Sequence, residues 1–411
     1  MSSKLNKRIL LISHGHPDLK KGGAEVASYN MFKELKVRGE DVYYLAHCPQ
    51  VPHGGTSFSA RNSAKEILFH TNIEDGFLVS NFASRALWKE FRDLLVLLNP
   101  EVVHLHHYLS LGIEILEVIR NTLPNAKIIL TLHEYLAICH NKGLMVKSNG
   151  ALCYRSSSRD CSNCFPEKSP ADFFLREKYI KRLFVNIDKF ISPSHFLKSR
   201  YVDWGLEDSK ISVIENTVNS SEMNITNNKG DDYLTRFAFF GQINPHKGIE
   251  VLLEAVQLLP NKVKKRVAFD IYGANLSEQS VIFQERFKDA IDSLKDTVFF
   301  HGSYEQVRMP KILSKVDWVV VPSTWWENSP MVIQEAFKQR VPVIVSDIGG
   351  LAEKVKHGID GLQFDARNAV DLAQTITFSL SKHVDHAYFV GNIQSSGDAS
   401  DIVDQHIPHY S

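Results

Sequence analysis

The chain lacks a net charge. Its 47 lysines and arginines stand against 47 aspartates and glutamates in 411 residues. That balance gives no electrostatic reason to expect nucleic acid as a partner. Long apolar runs are missing too, and none approaches the roughly 20 residues that span a bilayer. The early run Ile9-Leu10-Leu11-Ile12 is too short for the core of a signal peptide and reads as a first strand. A cytoplasmic protein is expected, with contact to the inner face of a membrane left open. Cysteine is scarce, at five residues. Without a secretion signal, disulfides are a poor default for them. No GxGxxG fingerprint occurs, so a dinucleotide is not specifically indicated.

What is present is a repeating strand–helix pattern. A chain of 411 residues exceeds what one hydrophobic core usually supports, so two domains are expected. Buried-type runs fall at Arg8–Ser13, Asp41–Ala46, Val102–His106, Lys127–Leu132 and Lys189–Ser192. Amphipathic stretches lie between them, as in Glu25–Val37 and Leu87–Leu98. Continuous β-branched runs separated by helices indicate a parallel sheet covered on both faces. Ser220–Asp232 has linker composition. The pattern then restarts with Phe237–Phe240, a helix over Lys247–Leu259, Val267–Tyr272, Thr297–Phe300, Trp318–Val321 and Val341–Ser346. The expected architecture is α/β, with two Rossmann-like domains whose parallel sheets face a cleft. The first spans residues 1–219 with a cysteine-bearing insert at 139–164, and the second spans 220–380. A weakly patterned tail, 381–411, either returns to the first domain as a helix or is irregular.

The stretch Thr324-Trp325-Trp326-Glu327-Asn328-Ser329-Pro330-Met331-Val332-Ile333-Gln334-Glu335-Ala336 carries the most chemistry. Ser329 is a good N-cap and Pro330 suits the first helical position. Glu327 then precedes the helix and Glu335 lies inside it. Between the two acids sit the free amides of Met331 and Val332 and the positive end of the helix dipole. A ligand with an anionic middle and hydroxyls at both ends fits, as a nucleotide-diphosphate sugar does. Two exposed acids near a helix would read the same way.

Other turns open where ligands of open α/β sheets sit, beyond the carboxyl ends of strands. Lys21-Gly22-Gly23-Ala24-Glu25 follows the first strand, and paired glycines let a backbone approach an anion. Gly241-Gln242-Ile243-Asn244-Pro245-His246-Lys247-Gly248 offers Lys247 as a mobile charge for phosphate. His133 and Glu134 end a buried run, and His104, His106 and His107 end another. Each also reads as an ordinary structural connection. Cys161-x-x-Cys164, with Cys139 and Cys153, either binds a structural zinc or stays as four reduced thiols. Phe173–Phe184 mixes basic and aromatic residues at helical spacing. It packs as an amphipathic helix or leans on an anionic membrane.

Taken together, these motifs resemble the family 4 glycosyltransferases, retaining enzymes of the GT-B fold. The resemblance runs from about residue 8 to 380 and is strongest from Gly241 onward. It implies that Glu327 contacts hydroxyls of the donor sugar and Glu335 those of the ribose. Met331 and Val332 would give amides to the diphosphate, Lys247 would neutralise the leaving phosphate, and Gly22 and Gly23 would approach the same phosphates. His133 would line the sugar subsite. Tyr272, Gly273, Ser303 and Tyr304 would flank the base. Gln242 departs from the family, which often has arginine there. The resemblance therefore implies metal-independent transfer of a hexose, with UDP-glucose the best guess, to a glycan or lipid-linked acceptor in cell-envelope polysaccharide synthesis. A nucleotide-sugar epimerase of the same fold, or a binding protein without turnover, remains open, and so does oligomeric state.

Overall fold

The computed structural model describes residues 5–20, 22–50, 55–81, 85–218, 234–394 and 397–411. Ser220–Asp232, expected as a linker, and Lys21 of the early glycine turn lie outside the described residues. The chain divides into two compact units, Met1–Asn219 with Gly397–Ser411, and Ser220–Ser396. Both are α/β, with Rossmann-like sheets covered by helices.

Among the described residues the first unit holds β1 (Arg8–Ser13), β2 (Asp41–Cys48), β3 (Phe58–Ala60), β4 (Glu66–His70), β5 (Val102–Leu105), β6 (Lys127–Thr131), β7 (Lys189–Ser192) and β8 (Ile211–Val213). Their order is β3-β4-β2-β1-β5-β6-β7-β8. β1 sits in the middle, with Ile9 opposite Val42 on one side and Val102 on the other. Its apolar run is continuous because helices cover both faces. The expectation of an all-parallel sheet needs one correction, since β3 runs antiparallel to β4. A three-residue edge strand carries too little pattern to be read from sequence, and it ends the sheet with a short edge.

The last helix, Ala399–His406, belongs to this unit although it lies at the far end of the chain. Arg38 binds it three times, to Asp404 at 2.6 Å, to the Ser400 carbonyl at 2.6 Å and to the Ser400 hydroxyl at 2.5 Å. Ile402, Val403 and Tyr410 enter the core with Ile9, Leu11 and Phe32. Each such burial contributes about 1.5–3 kcal/mol, so the attachment is held by packing more than by the ion pair. Residues 381–394 instead stay with the second unit, where Phe389 meets the Trp318 ring at 5.2 Å.

The second unit holds β9 (Thr235–Phe240), β10 (Val267–Tyr272), β11 (Val298–Gly302), β12 (Trp318–Val321), β13 (Val343–Ser346) and β14 (Gly361–Phe364). The order β11-β10-β9-β12-β13-β14 is doubly wound. Successive residues of β9 enter different cores, Phe237 and Phe239 one, Ala238 and Phe240 the other. That is the two-residue period of a strand buried on both faces. The order reverses between β9 and β12, which pair directly. Loops after these two strands therefore emerge side by side, although some 80 residues separate them.

Candidate functional site

The β9 loop brings Lys247 and the β12 loop brings Glu327. The Lys247 Nζ lies 2.6 Å from Glu327 Oε1. The same oxygen accepts from Ser323 Oγ at 2.8 Å and Trp325 Nε1 at 3.0 Å. Glu327 is buried, so this charge-assisted cluster fixes its carboxylate in one place. The ammonium has three donors and Glu327 engages one here. Ser323 and Trp325 escape sequence reasoning, because nothing local says that they share an acceptor.

Close approach of the two loops depends on Gly248, at φ +71°. A Cβ there would stand 1.7 Å from the Pro322 carbonyl oxygen. Gly248→Ala is therefore expected to cost about 1–3 kcal/mol of overpacking and to part Lys247 from Glu327. A thermal melt alongside nucleotide titration checks this. An unchanged melting point with unchanged nucleotide affinity would contradict the tight contact. Gly350 serves the other side of the loop, since its Cβ would meet the Asn328 carbonyl oxygen at 1.9 Å. Its N–H donates to the Glu327 carbonyl at 2.7 Å. Arg367 also donates to the Thr324 carbonyl, at 2.7 and 2.9 Å.

The helix following Glu327 runs Met331–Lys338. Pro330, not Ser329, holds the cap position, one residue later than the spacing suggests. Proline lacks an N–H, so it leaves no orphan donor at the cap. The Ile333 amide donates to the Pro330 carbonyl. Helix geometry leaves the Met331 and Val332 amides without an acceptor inside the helix. Glu335 follows on that helix and accepts from Gln306. Burial pushes its carboxyl up to about 7.

At the ends of β10 and β11, Tyr272 stacks between Phe240, with centroids 5.1 Å apart, and His301, at 4.5 Å. Tyr304 stands edge-on to both Phe240 and Tyr272. Gly273 donates its N–H to the Gly302 carbonyl at 2.8 Å, and a Cβ on Gly273 would lie 2.4 Å from the Gly241 carbonyl oxygen. Together these residues make an aromatic shelf. Ser303 follows Gly302 at the end of β11. Gln242 is exposed and accepts from Asn244 at 3.2 Å.

In the first unit β1 lies between β2 and β5, so the β1 and β5 loops meet in the same way. His14 and His107 stand 4.5 Å apart, ring to ring. His14 Nε2 is 3.1 Å from Glu25, which is buried at the start of the helix Gly23–Val37. Burial works against ionisation of Glu25, but the His14 hydrogen bond holds its carboxyl below the usual range. Gly22 caps that helix in an extended conformation, and a Cβ on it would strike Glu25 Oε2 at 2.4 Å. His133 Nε2 bonds His106 Nδ1 at 3.1 Å. Burial pushes His133 down to about 3, so it is a neutral imidazole at pH 7.

Cys139, Cys153, Cys161 and Cys164 are unbridged and half-buried. Among the described residues no group of three or more His, Cys, Asp or Glu side chains is placed to hold a metal ion. Burial pushes Cys139 up to about 11, which favours the thiol. The helix Pro170–Phe184 buries Phe173, Arg176, Ile180, Leu183 and Phe184 and leaves Phe174 and Leu175 exposed. Among the described residues no helix is long and apolar enough to cross a membrane.

Two family models match the chain. "Glycosyltransferase Family 4" covers residues 21–222 and "Glycosyl transferases group 1" covers residues 222–394. The chain belongs to the family 4 glycosyltransferases and is a glycosyltransferase. It is 24% identical over 358 residues to an uncharacterized glycosyltransferase of Methanocaldococcus jannaschii, spanning 83% of this chain and 87% of that one. It is 29% identical over 186 residues to the lipopolysaccharide 1,2-N-acetylglucosaminetransferase of Salmonella typhimurium, 43% of this chain and 48% of that one. In fold it is similar to Anabaena Alr3699/HepE in complex with UDP, with a TM-score of 0.68 at 17% identity over 97% of this chain and 98% of that one. The α,α-trehalose-phosphate synthase (UDP-forming) of Burkholderia xenovorans gives a TM-score of 0.68 at 11% identity, over 98% and 99%.

Proposed function

We propose that this glycosyltransferase moves a hexose, with glucose from UDP-glucose the first choice, to a glycan or lipid-linked saccharide, with retention of configuration and without a metal. The observation that carries the reading is the Lys247–Glu327 pair at 2.6 Å beside the start of the helix Met331–Lys338, whose first amides have no acceptor inside the helix. Lys247 takes the charge that develops on the leaving phosphate, and the Met331 and Val332 amides take the diphosphate. Glu327 binds donor hydroxyls and orients the sugar, while Glu335 takes the ribose hydroxyls. The base lies beside Tyr272, Gly273, Ser303 and Tyr304 and is held mostly through backbone contacts. Within the first unit, His133 offers a neutral imidazole at pH 7 to saccharide hydroxyls. The departing phosphate oxygen accepts the incoming hydroxyl's proton on the same face, so no enzyme nucleophile is assigned. Solved structures of HepE in complex with UDP and with UDP-glucose support the donor choice. The named lipopolysaccharide transferase supports a role in envelope polysaccharide assembly.

A panel of nucleotide sugars, scored for slow hydrolysis without acceptor, tests the reading. UDP-glucose is expected to release UDP fastest. Glu327→Gln is expected to slow that hydrolysis about 100-fold with UDP affinity nearly unchanged. Equal loss of both would move Glu327 out of the sugar subsite. Inversion at C2 without transfer would favour the epimerase, and tight UDP binding with no turnover on any acceptor would favour the binding protein.

A further inference from the structure

The loop after β14 carries a residue in a conformation that its type disfavours. Arg367 has a left-handed backbone, at φ +66°. Most L side chains are strained at such an angle, whereas glycine is not and asparagine tolerates it. Contacts on both sides hold the turn in place. The Asp347 amide donates to the Phe364 carbonyl at 2.9 Å, the Ala366 amide to Asp347 Oδ1 at 3.0 Å and the Asp365 amide to Asp371 Oδ2 at 2.7 Å. Asn368 caps the helix Ala369–Ser379 by accepting the Asp371 amide at 3.0 Å. Backbone strain that the surroundings enforce in this way clusters at sites of function.

The Arg367 guanidinium reaches Thr324. Its Nε and Nη2 both donate to the Thr324 carbonyl, at 2.9 and 2.7 Å. A planar cation that closes two donors on one oxygen fixes direction as well as distance. Thr324 in turn joins two loops. Its amide donates to the His246 carbonyl at 2.9 Å and its hydroxyl to the Pro245 carbonyl at 3.1 Å. Those carbonyls belong to the short turn Pro245–Lys247. The peptide that Arg367 grips also leads into Trp325. The Trp325 ring lies 5.7 Å from the Lys247 ammonium, and its Nε1 donates to Glu327 at 3.0 Å. The Thr324 carbonyl is thus where the loop after β14 meets the loops of Lys247 and Glu327.

We propose that Arg367, on the transferase reading of the Lys247–Glu327 pair, is a positioning residue of the transfer step. It acts through the Thr324–Trp325 peptide, holding it at the setting in which the Lys247 ammonium and the Glu327 carboxylate meet. A misplacement of about 1 Å at a reacting group costs on the order of 100-fold in rate. Thr324 keeps its bonds to Pro245 and His246 when the clamp is removed, so only part of that loss is expected.

UDP-glucose hydrolysis without acceptor, on the full chain, is the readout. Arg367→Gly removes the guanidinium and the backbone strain together, so the variant is expected to melt within about 3 °C of the unaltered protein. Its kcat should fall about tenfold, with KM for UDP-glucose changed by less than about twofold. A residue with only a structural role would move the melting point and leave kcat of the folded protein as it was. Arg367→Asn, which also tolerates the angle and is too short to reach Thr324, provides a second arm and should behave alike. The double variant of Arg367→Gly with Lys247→Ala tests the route. It should be slower than Lys247→Ala alone by less than about twofold, because changes within one network do not add. Unchanged kcat in the folded glycine and asparagine variants overturns the proposal, and so do losses that multiply in the double variant. Lys247→Ala at the original rate would sink the reading of Lys247 instead, and the same comparison on Glu327→Gln would then decide Arg367.

Discussion

Lys247→Ala is expected to slow both transfer and donor hydrolysis by about 10²–10³-fold while the two units stay folded. The magnitude is that of removing one preorganised charge from a site where negative charge develops. Folding survives because the partner left behind is not stranded. Glu327 Oε1 keeps Ser323 and Trp325 as donors. The stability loss should stay near 1–3 kcal/mol, the cost of weakening one buried cluster. Lys247→Arg should recover only part of the rate. A planar fork cannot match a point donor at 2.6 Å on an oxygen already shared by two others. Single-turnover UDP release with UDP-glucose reads the rate, and circular dichroism reads the fold. Hydrolysis at the original rate in the folded alanine variant would strip Lys247 of its role.

Acidification from pH 7 to 4 is expected to unfold the first unit ahead of the second. Burial holds His104, His106, His107, His133 and His406 well below the usual imidazole range. Their neutral forms belong to the native state. The unfolded chain takes up protons as pH falls through about 6.5, and the native state does not. Stability from these groups is therefore present above that pH and drains away toward their folded values. His406, buried on the returning helix and held near 4, alone accounts for about 3 kcal/mol by pH 4. Glu25, held low beside His14, adds a loss of the same sign below about 4.5. Glu134 in the first unit and Glu335 in the second work in the opposite direction. Burial raises their folded values to about 8 and about 7, so their contributions are present in acid and lost as pH rises, and the first unit's histidines must outweigh Glu134. Urea unfolding at pH 7 and pH 4.5 checks the order. Fluorescence of Trp318, Trp325 and Trp326 reports one unit and that of Trp88 and Trp204 the other. His406→Leu should flatten the acid response. A midpoint that does not move between the two pH values would contradict the argument.

The strands of both units were legible wherever burial on two faces made the apolar run continuous, as in β1, β10 and β12. β3, β4, β8 and β14 were missed because they are short or lie toward a sheet edge, where alternation is weak. The returning helix was open to doubt for another reason. Ala399–His406 buries only one face, and its partners, Arg38 and Phe32, are more than 360 residues away. In the second unit Lys247, Glu327 and Glu335 stood out from residue type and spacing. Ser323, Trp325 and Gln306 did not, since a serine, a tryptophan and a glutamine look ordinary until an acceptor is placed against them. Glu134 was visible only as a residue beside His133.

Sequence alone determined which chemistry waits at which strand end: glycine turns, a lysine, two acids around a helix start, a histidine after a buried run. Those signals are local, because propensity, capping and burial act over a few residues. Partner choice was decided by the tertiary fold. Lys247 meets Glu327 across 80 residues because β9 and β12 adjoin where the sheet reverses its order. His14 meets His107 because β1 adjoins β5. Strand adjacency depends on how crossovers pack both faces of a sheet at once, and no short stretch of residues encodes that.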